Sequence, residues 1–399
     1  MTIDFPITLV REGKASFYIP DPNAFKGASS VYVPSAAPVF YNPRMAENRD
    51  VAVLFLKTYS EMVGREVRVC EPMTGCGVRG LRFALEVKGL GEIIINDLNE
   101  RAFELAEKNV AFNSLEESIT VRNMEASALL FQYAAPRRRF DYVDIDPFGS
   151  PAPFLESAIR ALRNDSALAV TATDTAPLSG LYGNVCLRKY FGKSLRVAYW
   201  KEIAIRLLIG SVVWTASRFD IGVTPLISYA ADHYLRVYLT TKYGAKAADH
   251  SIGKMGFILH CFQCLHRECK IGLQPFNSEK CPVCGSKMSY AGPLWLGHLI
   301  DSDFCGRMLK NIESMNLSCR RSVTKLLDLL RVEASAPPTY YVTDKFGIKL
   351  KCPLPPLKKV LDELKSMGFS SFRTHFHDRG FKTNAPIEII QKIIRKDQS

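Results

Sequence analysis

The segment Asp144-Ile145-Asp146-Pro147-Phe148-Gly149 puts a carboxylate, a proline carbonyl and an aromatic ring at what reads as the end of a buried strand. That trio suits holding a planar aromatic amine while a methyl group is transferred to its nitrogen. An exocyclic amine is a poor nucleophile because its lone pair is delocalised into the ring. The Asp146 carboxylate and the Pro147 carbonyl can accept its two N–H bonds and help to localise that lone pair, and Phe148 can stack on the face of the base. In isolation the same tripeptide fits an ordinary strand-to-helix turn, so its placement relative to other motifs decides the reading.

Glu71-Pro72-Met73-Thr74-Gly75-Cys76-Gly77-Val78-Arg79-Gly80 follows an earlier strand and opens a helix. Gly75 and Gly77 let the backbone approach a ligand closely. Asp97 ends the next strand, where a doubly wound fold puts a carboxylate on a ribose diol. The loop fits a dinucleotide loosely. The acidic Glu71 favours S-adenosylmethionine, whose ammonium group wants an anionic neighbourhood. Glu125-Ala126, after a third strand (119–123), is suited to contact the adenine. The DPF motif, on the fourth strand, then projects into the same crevice as the donor's methyl, which in-line transfer requires. Asp144 shares a side with Asp146 and either supports it or caps the strand, the second reading being preferred.

A second constellation is Cys261-x2-Cys264 with Cys281-x2-Cys284, sixteen residues apart. Two such knuckles give four thiolates in tetrahedral reach of one Zn2+. Four cysteines leave no open coordination position, so the zinc is expected to be structural. His260, His266 and Cys269 nearby read as loop residues, not ligands.

The elements that must position these residues alternate. Strands are expected at 65–71, 92–96, 140–146, 167–173, 222–229 and 234–241, with helices at 78–87, 100–113, 151–162 and 200–217. This pattern predicts an α/β fold with a doubly wound, mostly parallel sheet. The last two strands follow each other closely and are expected to pair antiparallel at its edge. Four regions are expected: an extension at 1–50 that contributes to the active site, a methyltransferase domain at 51–253, a zinc module at 254–290 and a helix-rich RNA-binding domain at 291–399. In the last, a helix at 357–367 with Lys358, Lys359 and Lys365 precedes a hairpin or wing bearing Arg373, His375, Arg379, Lys382 and Thr383. A final helix carries Lys392, Arg395 and Lys396. These charges read as phosphate contacts, and Phe369, Phe372, Phe376 and Phe381 as core.

The 399 residues have 47% hydrophobic and 23% charged content, as in an ordinary globular protein, and the net charge of +12 favours a polyanionic partner. No run of about 18 apolar residues occurs, so no membrane partner is expected. The N-terminus lacks the pattern of a secretory signal. The 11 cysteines point with it to a reducing, cytoplasmic setting. A monomer is assumed.

The strings FYNPRMAENRD (40–50), TGCGVRG (74–80), DIDPFGSPAPFL (144–155), TATDTAPLSG (171–180), CLRKY (186–190) and THFHDRGFKTNAP (374–386) resemble those of the tRNA (guanine-26-N2) dimethyltransferases of archaea and eukaryotes. The likeness spans nearly the whole chain. It implies a Rossmann-like class I methyltransferase fold, S-adenosylmethionine as donor, tRNA as partner, and the N2 amine of guanine 26 as acceptor of one or two methyl groups. Carried over by motif, Arg49, Arg79, Asp97, Glu125 and Ala126 hold the donor, with Arg44 as an alternative to Arg49. Asp146 takes the amine hydrogen, and Phe40 and Phe148 flank the base. Family members often have Asp where this chain has Glu125. Two other readings stay open on sequence: an amino-methyltransferase of another nucleic-acid base, and an inactive, zinc-containing nucleic-acid-binding protein.

Overall fold

The computed structural model describes residues 3–27, 32–231, 233–274, 280–350 and 352–395. Lys396, assigned above to the final helix, lies outside them. The chain forms two compact units, the first comprising Met1–Pro147, Pro153–Val170 and Gly306–Leu327, the second Phe148–Ala152, Thr171–Cys305 and Asp328–Ser399.

The first unit starts with a hairpin of β1 (Ile7–Glu12) and β2 (Ala15–Pro20). Helix α1 (Ala46–Val63) follows. Then come β3 (Val67–Glu71), α2 (Val78–Glu86), β4 (Leu90–Asn96), α3 (Glu100–Phe112), β5 (Ile119–Arg122), α4 (Ala126–Gln132), β6 (Phe140–Ile145), α5 (Leu155–Ala161) and β7 (Leu162–Ala172), whose last two residues belong to the second unit. The strands run parallel in the order β5-β4-β3-β6-β7. The order turns back between β3 and β6, which makes the space beyond their carboxyl ends the switch point where open α/β sheets bind ligands. Every residue of β6 is buried, as expected of a strand covered on both faces. Of its two acids, Asp141 is satisfied by the Arg65 guanidinium, by Arg163 at 3.3 Å and by the Arg68 amide at 2.9 Å.

The helix expected over 151–162 is shorter than its pattern. A 3-10 turn occupies Ala152–Phe154 and β7 already begins at Leu162. Pro151 and Pro153 remove amide donors and restrict the residues before them, so the α-helix starts only beyond them.

The hairpin is fastened to the unit by polar side chains. Asn109 of α3 bonds both the amide and the carbonyl of Tyr18, at 2.7 and 2.9 Å, and donates to the Cys76 carbonyl at 2.9 Å. Glu12 accepts from Arg49 and from Arg82, which also pairs with the buried Asp50 and with the partly buried Glu86.

The second unit contains α6 (Thr175–Leu178), α7 (Gly183–Tyr190), α8 (Trp200–Ser217), β8 (Ile221–Ala231), β9 (Tyr234–Tyr243), α9 (Ala245–Ile252), β10 (Met255–His260), β11 (Arg267–Ile271) and β12 (Ser289–Trp295). Helices α10 (Ser302–Ile312) and α11 (Arg320–Glu333) each begin in one unit and end in the other. Last come β13 (Tyr341–Val342), α12 (Thr343–Leu350), α13 (Leu357–Ser366), β14 (Ser371–Arg373), β15 (Gly380–Thr383) and α14 (Ile387–Arg395). Strands β8 and β9 pair antiparallel, as expected of closely consecutive strands. Helix α8 is apolar almost all round and correspondingly buried. The wing expected near the C-terminus is an antiparallel sheet in the order β13-β15-β14. Phe376 and Phe381 are core residues, at 2% and 0% exposure.

The charges on that wing divide in a way the sequence does not foretell. The side chains of Lys382 and His375, expected to face RNA, are buried. Lys382 Nζ lies 3.0 Å from both Glu202 of α8 and Glu333 of α11, and His375 Nδ1 lies 2.7 Å from Glu333. Thr383 is buried as well, and Arg379 is exposed but paired with Asp344 at 2.7 Å. Lys358, Lys365, Arg373, Lys392 and Arg395 remain on the surface.

Candidate active site and metal centre

Strands β3 and β6 deliver their terminal carboxylates to one guanidinium. Arg79, on the first turn of α2 and 5% exposed, donates through Nη1 to Asp144 at 3.2 Å and to Glu71 at 3.4 Å. Its Nη2 donates to Asn48 Oδ1 at 2.9 Å and to Asp146 Oδ2. Glu71 and Asp144 are buried, whereas Asp146 is partly open to solvent, its side chain 18% exposed. The reading of Asp144 as a strand cap gives way here. It is fully buried, accepts the Tyr142 hydroxyl at 2.7 Å and holds Arg79, which in turn holds Asp146. Three carboxylates against one cation leave an excess of negative charge. Burial, only partly offset by Arg79, pushes the Glu71 carboxyl up to about 7, and the charges of Asp144 and Asp146 push the same way.

The glycine loop is shaped from beneath. Glu71 Oε2 accepts the Thr74 hydroxyl at 2.6 Å and the Gly80 amide at 3.1 Å. Glu71 is therefore engaged with its own loop, beyond the donor contact expected of it. Gly75 has φ +59°, and a Cβ there would meet the Phe40 carbonyl oxygen at 2.9 Å. Its amide donates to Asp97 Oδ2 at 2.8 Å. Gly77, at φ +84°, caps α2 against Ala106 and Ile95. Asp97 also accepts the Asn99 amide at 3.0 Å, and burial raises its pKa against these backbone hydrogen bonds.

Asn96, at the end of β4, was not singled out from sequence. Its buried carboxamide donates to the carbonyls of Pro72 and Met124 at 2.9 and 3.0 Å and accepts the Met124 amide at 3.0 Å. It thereby ties together the loops that follow β3 and β5. Asn48 lies inside the string FYNPRMAENRD but is given no role there, and Asn96 belongs to none of the quoted strings. Glu125 caps α4 by accepting the Ala128 amide at 2.7 Å, and Ala126 is buried behind it. Arg49 is placed differently from the motif-based expectation. Its guanidinium grips Glu12 at 2.6–2.8 Å and the Asn42 carbonyl, so in this structure it anchors the hairpin. Pro147 is buried and Phe148, at the start of the second unit, is 74% exposed.

In the second unit, Cys261, Cys264, Cys281 and Cys284 bring their sulfurs within 4.8 Å of one another. The Cys261–Cys284 and Cys264–Cys281 separations are 3.5 and 3.4 Å, and none of the four forms a disulfide. A tetrahedral zinc–thiolate site with bonds of about 2.3 Å implies sulfur separations of about 3.8 Å, so the cluster fits a metal. Both knuckles close alike: the Leu265 and Gly285 amides donate back to the carbonyls of Cys261 and Cys281 at 2.9 and 2.8 Å. Both residues sit at positive φ. His260 packs edge-on against Tyr199 and Phe262 and is not among the clustered ligands. His266 pairs with Glu268. Among the described residues, no helix is long and apolar enough to cross a membrane.

Comparison with known proteins agrees with this geometry. A family model described as N2,N2-dimethylguanosine tRNA methyltransferase matches residues 13–395. A Methanothermobacter thermautotrophicus protein named tRNA (guanine(26)-N(2))-dimethyltransferase is 40% identical over 385 residues, covering 96% of this chain and 98% of its own. A Methanobrevibacter smithii protein of the same name is 38% identical and covers 98% of both chains. Among solved structures, Trm1 from Pyrococcus horikoshii in complex with S-adenosyl-L-methionine superposes with a TM-score of 0.84 at 33% identity, covering 97% of this chain and 99% of that one. Likeness of this extent, end to end, makes the chain a methyltransferase of the N2,N2-dimethylguanosine tRNA methyltransferase family.

Proposed function

We propose that this enzyme transfers methyl groups from S-adenosyl-L-methionine to the N2 amine of guanine 26 in tRNA. The observation that carries the reading is the Asp146 carboxylate, held by Arg79 at the carboxyl end of β6 beside the glycine loop and partly open to solvent. The donor supplies an electrophilic methyl on a cationic sulfur. The surplus of carboxylates around Arg79 favours that cation. Gly75 and Gly77 leave room for close backbone approach, and Asp97, on the Gly75 amide, faces the ribose diol. Arg79, Glu125 and Ala126 complete the donor's surroundings, with Arg49 joining them if its grip on Glu12 loosens.

At the acceptor, Asp146 and the Pro147 carbonyl accept the amine hydrogens and draw the lone pair toward nitrogen. Asp146 takes the proton as the new N–C bond forms. After one transfer a single N–H remains, and Asp146 can accept it again. Phe148 and Phe40 flank the base, offsetting part of the few kcal/mol needed to unstack it. The sulfur cluster holds a structural Zn2+. Lys358, Lys365, Arg373 and Arg395 contact tRNA phosphates, and the cytoplasm is the compartment this reading implies.

The test combines labelled donor with tRNA transcripts carrying guanine or adenine at position 26. Label confined to the guanine transcript, found as N2-methyl- or N2,N2-dimethylguanine by nucleoside mass, is the expected result. Equal label in both transcripts would refute the acceptor. Asp146→Ala should abolish transfer while donor affinity stays within about threefold, and an active Asp146→Ala enzyme would remove the role given to that residue.

A further inference from the structure

Beyond the site itself, the second unit presents an unusual surface on α6, α7 and the residues around them. Leu181, Tyr182, Leu187 and Phe191 are 53%, 60%, 54% and 50% exposed. Single exposed apolar side chains are ordinary, but four within eleven residues form a cluster that marks an interaction site. Leu187 stands about 60–100° round α7 from the buried Tyr190 and Cys186, and Phe191 caps the helix one turn beyond it.

Phe191 holds a further clue. It ends α7 at φ +56°, a left-handed conformation that suits glycine and costs a bulky side chain about 1–2 kcal/mol. Its half-exposed ring gains little burial in return. Around the cluster the charge is one-sided: Arg188, Lys189, Lys193 and Arg196 fall within nine residues. Lys189 pairs with Asp174, while Arg188 and Arg196 are exposed and enter no ion pair among the described residues. Aromatic and aliphatic side chains interleaved with free arginines complement a polyanion that shows bases, better than a neutral protein face.

The surface is also fixed to the turn that carries Phe148. The Tyr190 hydroxyl bonds Asp174, and the Ser150 hydroxyl lies 3.0 Å from it. The amides of Thr173 and Asp174 donate to the Gly149 carbonyl at 2.9 and 3.3 Å, and the Gly149 amide donates to the Thr173 hydroxyl at 2.7 Å. Whatever α7 touches is thereby held in register with Phe148.

We propose that Leu181, Tyr182, Leu187 and Phe191, with Arg188 and Arg196, form an RNA-docking surface for the methyl-transfer reaction. This inference rests on the function proposed above. The apolar side chains cover bases left without a stacking partner when the target guanine leaves the helix, and the two arginines hold the flanking phosphates. The surface supplies part of the unstacking free energy and so acts on the RNA, not on the methyl donor.

The experiment uses the full-length enzyme, tRNA transcript and donor. Phe191→Gly relieves the positive φ, so it should melt at or above the wild-type temperature and bind S-adenosylmethionine unchanged. Its kcat/KM for tRNA should fall at least tenfold, as should that of Tyr182→Ala. Arg188→Gln should reduce the slope of log affinity against log salt by about one. Both apolar variants should lose less on a transcript whose position 26 is deliberately mispaired, since such a base is already easier to extrude. Variants within twofold of wild type in tRNA binding and turnover would overturn the proposal. So would a concentration-dependent dimer that Phe191→Gly dissociates, because the face would then belong to a second copy. Wild-type enzyme that leaves tRNA unlabelled would defeat the function reading alone, and the docking surface would then stand or fall on the salt titration.

Discussion

Replacing Lys382 by methionine separates two roles that a basic residue near the C-terminus can have. On sequence Lys382 reads as a phosphate contact, and in the structure it is 2% exposed between Glu202 and Glu333, 3.0 Å from each. Removing one partner of a buried ion pair costs about 3–5 kcal/mol, because the remaining charge stays desolvated. Here two carboxylates lose their shared cation. Glu202 keeps Arg206 at 2.8 Å and the Thr339 amide at 2.9 Å, and Glu333 keeps His375 and the Thr374 hydroxyl. These remaining partners keep the loss near about 4 kcal/mol. For a unit of roughly 200 residues that corresponds to a fall in Tm of about 8–16 °C.

The pH dependence follows from the same contacts. Lys382 and His375 hold Glu333 below its ordinary value of 4.5, and Lys382 with Arg206 also lowers Glu202, in both cases against burial. The stabilisation is therefore present above about pH 4.5 and is lost as pH falls toward the depressed pKa values. The Tm gap between wild type and variant should be widest near neutrality and narrow in acid. Scanning calorimetry between about pH 2 and 8 measures it, and tRNA binding at a temperature where both proteins are folded gives the salt slope. A variant that melts within about 2 °C of wild type but loses one unit of salt slope would refute the buried role and restore the phosphate contact.

Three other expectations are open to direct measurement. Glu71 carries a carboxyl raised to about 7 by burial, so a cationic donor that favours its ionised form should bind more tightly as pH rises from 6 to 8. Calorimetry in buffers of different ionisation enthalpy should then show proton release on binding below pH 7, and its absence would mean that Glu71 is already ionised. Gly75→Ala forces a side chain into φ +59° and against the Phe40 carbonyl, so donor affinity should fall about tenfold, read by equilibrium dialysis. Cys264→Ser should reduce bound zinc from one equivalent to less than a tenth by elemental analysis and lower the melting temperature, with unchanged metal content counting against the cluster.

Much of the site was legible because its chemistry lies in contiguous strings at strand ends. The alternation of strands and helices alone puts Gly75, Asp97 and Asp146 near one crevice. The cysteine spacing alone was enough to assemble four sulfurs. What escaped depends on contacts between distant parts of the chain. Arg79 reads as a donor contact, yet its place as the hub of Glu71, Asp144 and Asp146 follows only once β3 lies beside β6. Asn96 lies in no motif, and Asn48, though inside FYNPRMAENRD, shows its bond to Arg79 only in three dimensions. Lys382 and Lys365 look alike in sequence, and only the acids of α8 and α11 bury the first. Arg49 shows the converse, a motif residue that the hairpin claims through Glu12.

The surplus of carboxylates around Arg79 has a consequence for turnover. Methyl transfer converts the donor's positively charged sulfur into a neutral thioether. With the donor seated as proposed above, a pocket that holds three acids against one guanidinium favours the charged form, so the attraction weakens as soon as the reaction is complete. At an effective dielectric of about 20, one unit charge a few ångströms from another is worth a few kcal/mol, enough to make spent donor the weaker occupant. Product inhibition should accordingly be mild, and exchange of spent for fresh donor can occur while the half-finished monomethyl guanine is still seated.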